Sequence, residues 1–134
     1  MHLEKLLELL VDDLKLGAIP QKDKNDIHQL KLLPDLQIGV SELDPGIFFS
    51  SLLLPIPKEG GKEALYIHLM KANLLGQGTG GGSIGIDSTE KYLTFSLTLS
   101  FEVSYTIFKE SLEDFVNYVS YWSEEVLRFN QTLL

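Results

Sequence analysis

The chain contains no cysteine, which excludes a disulfide scaffold, thiolate catalysis and cysteine-ligated metal. It carries a single arginine, Arg128, and its 11 basic residues stand against 19 acidic ones, for a net charge of -8. No basic cluster offsets this balance, so the positive surface that nucleic acid and anionic membranes require is missing. No apolar run reaches the roughly 18 residues of a membrane span. The opening Met1-His2-Leu3-Glu4-Lys5 does not look like a basic secretory leader. What remains, at 134 residues, is most simply one domain, residues 1–134, with enough chain for a real core. Such an acidic surface suits a basic or apolar protein partner.

Hydrophobic period supplies the elements. Leu3, Leu6, Leu7, Leu10, Val11 and Leu14 recur at helical spacing with Glu4, Glu8, Asp12 and Asp13 opposite, and Gly17 and Pro20 close the helix. From Asp26 the period becomes two: Leu30 and Leu32, then Leu36, Ile38 and Val40, with a turn at Pro34-Asp35. Asp44-Pro45-Gly46 marks another turn before the dense apolar run Ile47 to Leu54, a central strand ended by Pro55 and Pro57. Lys58-Glu59-Gly60-Gly61 reads as a loop. A middle helix fits Glu63 to Leu75 with Gly76 as its cap, and its apolar residues wrap widely enough to be buried on two sides. Ile84 and Ile86 share a strand face. Leu93, Phe95, Leu97, Leu99, Phe101, Val103 and Tyr105 alternate with polar residues, a strand expected to bend or end near Ser100 to Glu102. A final helix is expected from a Ser111–Asp114 capping pair, burying Leu112, Phe115, Val116, Val119, Val126 and Leu127. The sum is an α+β domain, α-β-β-β-α-β-β-α, with helices packed on a twisted antiparallel sheet.

The glycine-dense stretch Gly76 to Gly85 offers two motif matches, GxGxxG at Gly76–Gly81 and GxSxG at Gly81–Gly85. Both motifs need a strand before and a helix after. Here the order is helix, loop, strand, so the helix's carbonyl end faces the loop and repels anions. The loop therefore reads as architecture. His2, His28 and His68 show no metal-ligand spacing. Adjacent acids such as Asp12-Asp13 and Glu124-Glu125 diverge on a helix and read as solvated faces. The aromatic group Tyr118, Tyr121 and Trp122 reads as core. No catalytic constellation, metal site or cofactor site emerges, and a self-associating or protein-binding module is left.

The segment Leu69 to Asp87, with Ala72-Asn73-Leu74-Leu75, a glycine loop containing Thr79, and Ile84-Gly85-Ile86-Asp87, resembles the class I type III secretion chaperones of the Tir-chaperone (CesT-like) family. The likeness extends over nearly the whole chain. Ile84 and Ile86 stand where leucine is commoner in the family. The resemblance implies a homodimeric chaperone of the bacterial cytoplasm, without enzymatic activity or cofactor. Such a chaperone binds the N-terminal segment of one or more secreted effectors, keeps it extended and targets it to the export apparatus, with the secretion ATPase as a further candidate partner. It also implies dimerisation through the middle helix and the strand after the glycine loop, here Ile67, Met70, Leu74 and Ile86. Effector grooves are expected on the first helix and neighbouring sheet face, at Leu3, Leu7, Leu10, Ile38, Phe48 and Phe49, several of which could equally be core. The alternative is a small-ligand-binding or minor enzymatic α+β domain, which predicts a pocket with convergent polar groups.

Overall fold

The computed structural model describes residues 1–57 and 60–132. The expected loop at Lys58-Glu59 lies outside the described residues. Helix α1 (Leu3–Leu14) is followed by β1 (His28–Leu33), β2 (Leu36–Leu43), β3 (Gly46–Pro55), α2 (Lys62–Asn73), a single tight turn at Leu74–Gly76, β4 (Ser83–Ile86), β5 (Tyr92–Leu99) and α3 (Tyr105–Thr132). The element order is the expected one. The strands form a five-stranded antiparallel sheet in the order β1-β2-β3-β5-β4. The chain clusters into two compact units, one of Met1–Ser50 with Thr98–Asp114, the other of Ser51–Leu97 with the chain from Phe115 onward.

In the first unit α1 buries Leu3, Leu6, Leu7 and Leu10 and leaves Glu4, Glu8, Asp12 and Asp13 in solvent. Each fully buried leucine contributes about 1.5–3 kcal/mol. The helix stops earlier than Gly17 suggested: Lys15 already adopts the left-handed conformation, φ 55°, and its N–H donates to the Val11 carbonyl. On the sheet, Leu30 faces Ile38 and Val40 faces Phe49 in register, all four buried. Phe49 then meets Phe108 with ring centroids 5.8 Å apart. The turn into β3 requires glycine, because Gly46 sits at φ 115° and a Cβ there would collide with the Leu99 carbonyl.

Strand β5 ends at Leu99, as the expected strand end required. Helix α3, however, starts at Tyr105, six residues before the Ser111–Asp114 pair that sequence suggested as its cap. The local donors explain why. The Ser104 carbonyl accepts the Phe108 N–H at 2.9 Å and its Oγ faces the Ile107 N–H at 3.3 Å, so Ser104 caps the helix. Phe108, Leu112, Phe115, Val119, Trp122 and Val126 then repeat every three or four residues and are buried.

In the second unit Ile84 pairs with Phe95 and Ile86 with Leu93 across β4 and β5. Phe95 lies edge-on to Phe115, centroids 5.4 Å apart, and stacks on Tyr118 at 6.1 Å. Helix α2 ends at Asn73, two residues short of the expected Leu75, and Gly76 takes the left-handed conformation expected of it, φ 69°.

Candidate functional site

Helix α2 carries two apolar faces. Leu65, Leu69 and Ala72 point into the second unit and are buried. Ile67, Met70 and Leu74, spaced i, i+3 and i+7, form a stripe on the other side and are 50, 70 and 61 % exposed. Strand β4 adds Ile86, 49 % exposed. All four residues expected at a dimer interface therefore present large apolar surface to solvent in the protomer. Covering such side chains contributes about 25 cal/mol per Å² of apolar area, which gives this surface a strong tendency to find a partner.

The segment between α2 and β4 is held by backbone turn hydrogen bonds and by side chains together. Asn73 Oδ1 accepts the Ile84 N–H at 2.8 Å, and Asn73 Nδ2 donates to the Ile84 carbonyl at 2.8 Å. Thr79, buried, donates its hydroxyl to the Gly82 carbonyl at 2.6 Å. Trp122 Nε1 donates to the Gly78 carbonyl at 2.8 Å, and the Gly78 N–H reaches the Ala72 carbonyl at 3.1 Å. Gly80 is left-handed, φ 60°, with its Cα under the Tyr118 ring, so a side chain there would run into that ring. Past β4, Asp87 accepts the backbone N–H of Lys91 and Tyr92 and the Thr89 hydroxyl, and these contacts hold its carboxyl below the ordinary range, the Thr89 bond foremost. Asn73 and Thr79 are thus spent on closing the loop, and Asp87 on closing the turn after β4.

Beside the loop lies an open groove of about 720 Å³ lined by His68, Lys71, Asn117, Tyr118, Tyr121 and Trp122 among others. His68 stacks on Phe129 with centroids 4.7 Å apart and meets the Trp122 edge at 6.0 Å, its Nε2 3.6 Å from Glu125 Oε1. Tyr121 is exposed on this groove, whereas Trp122 is buried.

A model of the Tir chaperone protein (CesT) family matches residues 5–123. The chain belongs to this family. Family membership makes it an effector chaperone of type III secretion, in a family of chaperones rather than enzymes. A Chlamydia pneumoniae protein is 25 % identical over 125 residues, covering 92 % of this chain and 95 % of its own. Two solved structures share the fold. A chain of the HopA1–SchA chaperone–effector complex matches with a TM-score of 0.68 at 14 % identity, covering 90 % of this chain and 92 % of that one. A chain of the ExsC–ExsE complex matches with a TM-score of 0.69 at 11 % identity, covering 90 % of each.

For this chaperone the residues expected at effector grooves lie deeper than those of the α2 stripe. Leu3, Leu7, Leu10, Ile38 and Phe49 are buried in the protomer, and Phe48, on the opposite face of β3 from Phe49, is half-buried. Sequence reasoning missed the polar ties around α1. Glu42 accepts the Leu3 N–H at 2.8 Å and lies 3.3 Å from the His2 ring, and the Leu3 contact chiefly holds its carboxyl below the ordinary range. Asp13, read as a solvated face, accepts Lys109 Nζ at 2.8 Å and the Tyr105 hydroxyl at 2.7 Å. These partners are 96 and 92 residues away in the chain, beyond any local pattern. Among the described residues no group of three His, Cys, Asp or Glu side chains could hold a metal, and no helix is long and apolar enough to cross a membrane.

Proposed function

We propose that this chaperone acts as a homodimer in the bacterial cytoplasm. It binds the N-terminal segment of one or more effectors, keeps that segment extended, and presents it to the export apparatus, where the secretion ATPase is the receiving partner. The chain works as one domain, residues 1–134, and without an enzymatic step. The observation that carries the homodimer is the exposed quartet Ile67, Met70, Leu74 and Ile86 on α2 and β4. A two-fold interface is self-complementary, so one such patch meets its own copy. Each protomer carries a net charge of -8, and apolar contact is the means by which two like-charged surfaces can associate.

The effector is proposed to lie on α1 and the neighbouring sheet face. Phe48, half-buried on the opposite face of β3 from Phe49, offers side-chain surface on the other side of the strand. Leu3, Leu7, Leu10, Ile38 and Phe49 shape the α1 side from beneath, so a charge placed at Leu7 or Phe49 would unfold the protomer rather than probe a groove. An extended segment gains backbone hydrogen bonds at the β1 edge of the sheet, and its apolar side chains offset the entropy of ordering it. The complexes formed by HopA1 with SchA and by ExsC with ExsE support this reading through their shared fold. The test is capture from the cytosol of the bacterium that carries the chain, with the captured protein truncated to map binding. The proposal expects a secreted protein held through its first ~50–100 residues, the scale of a coupled folding-and-binding segment. Capture of nothing, or only of folded metabolic enzymes, overturns it.

A further inference from the structure

Strand β4 is an edge of the sheet, with β5 as its neighbour. The register sets Ser83 against Ser96 and Gly85 against Thr94, and the Asp87 N–H continues the series by donating to the Tyr92 carbonyl at 3.0 Å. Strand period two then turns the backbone groups of Ile84 and Ile86 the other way, toward the open edge. Asn73 occupies that edge at Ile84. Its amide gives one bond and takes one bond, both 2.8 Å, the same pair that a residue of a neighbouring strand would exchange. One side chain at the end of α2 thus stands in for a strand at Ile84 and leaves the edge open at Ile86.

We infer that Asn73 is the positioning residue of the dimer surface: by clamping Ile84 it fixes the β4 edge, with Ile86, against the end of the Ile67–Met70–Leu74 stripe. The inference rests on the homodimer reading above. Leu74 follows Asn73 directly and Ile86 lies two residues beyond Ile84, so the clamp sits between the two exposed side chains whose relative placement a second copy must match. Without it β4 keeps its bonds to β5 but loses its tie to α2, and the two halves of the patch no longer share one fixed geometry. The pairing is also exclusive. An edge residue already paired to Asn73 cannot pair with an incoming strand, which confines any strand pairing by the second copy to Ile86 and beyond.

The experiment measures the dimer dissociation constant by sedimentation equilibrium for the wild type, Asn73→Ala and Asn73→Asp, with circular dichroism confirming folded chains. Asn73→Ala is expected to weaken the dimer roughly tenfold, since each free protomer must then order β4 against the end of α2 at the moment of association. A clamp serving only the protomer would lower the melting temperature and leave the dissociation constant unchanged, which overturns the inference while the dimer stands. A wild type that stays monomeric overturns the homodimer reading itself, in an arm of its own. Asn73→Asp decides the matter if the alanine variant does not fold. An ionised carboxylate can accept the Ile84 N–H but repels the Ile84 carbonyl, whereas the protonated acid again has one donor and one acceptor. An aspartate is ionised near neutral pH, so the folded variant is expected to dimerise about tenfold more weakly than the wild type at about pH 7.5. An Asn73→Asp variant that dimerises as tightly as the wild type overturns the inference.

Discussion

Single residues in this chain act mainly across long stretches of sequence, and those are the roles the sequence hid. Asn73 and Trp122 could be read only as helix end and core aromatic, because their partners, Ile84 and Gly78, are fixed by the fold. Asp13 is the clearest case. Its hydrogen bond from Lys109, then that from Tyr105, holds its carboxyl below the ordinary value of 3.8. Burial first, and then Asp13, pushes the Tyr105 hydroxyl up to about 12. The linkage has a definite sign. A carboxyl depressed in the folded state contributes stability that is present above its unfolded value and lost as pH falls through its folded value. Urea unfolding should therefore show the wild type more stable than Asp13→Asn near neutral pH, with the gap closing as pH falls below about 4. A gap that widens on acidification would contradict this account of Asp13.

At the scale of elements, α2 was the most legible. Its apolar residues were too many for one face, and the structure divides them into a buried row, Leu65, Leu69 and Ala72, and an exposed row, Ile67, Met70 and Leu74. The start of α3 was not legible. Alternation from Leu99 to Tyr105 imitates a strand, while Val103 and Phe108 are buried by the turn that Ser104 caps. The loop before β4 was legible in its order, helix to strand, but its glycines had reasons visible only in space. Gly80 combines a left-handed backbone with the Tyr118 ring overhead. Gly80→Ala should cost about 1–3 kcal/mol in urea unfolding, from strain and overpacking together. No measurable loss would show that the loop yields freely.

For the whole molecule, composition excluded more than it assigned, and the family resemblance supplied what periodicity could not. Physics read from the sequence ended at an acidic α+β chain with surplus apolar surface. The residues proposed for the dimer are those that remain exposed, whereas most of those proposed for the effector are covered in the protomer. Both kinds occur in amphipathic elements, and sequence pattern cannot tell a floor from a rim. The central claim is that two copies, joined through α2 and β4, hold one unfolded N-terminal segment. The measurement is the mass by sedimentation equilibrium of the wild type and Met70→Glu, alone and with the first ~100 residues of the captured secreted protein, the length of a coupled folding-and-binding segment. The account predicts twice the 15.0 kDa chain for the wild type, one segment bound per pair of chains, and a folded monomer with weakened segment binding for Met70→Glu. A wild-type monomer, or a dimer that Met70→Glu leaves intact and fully able to bind, would contradict it.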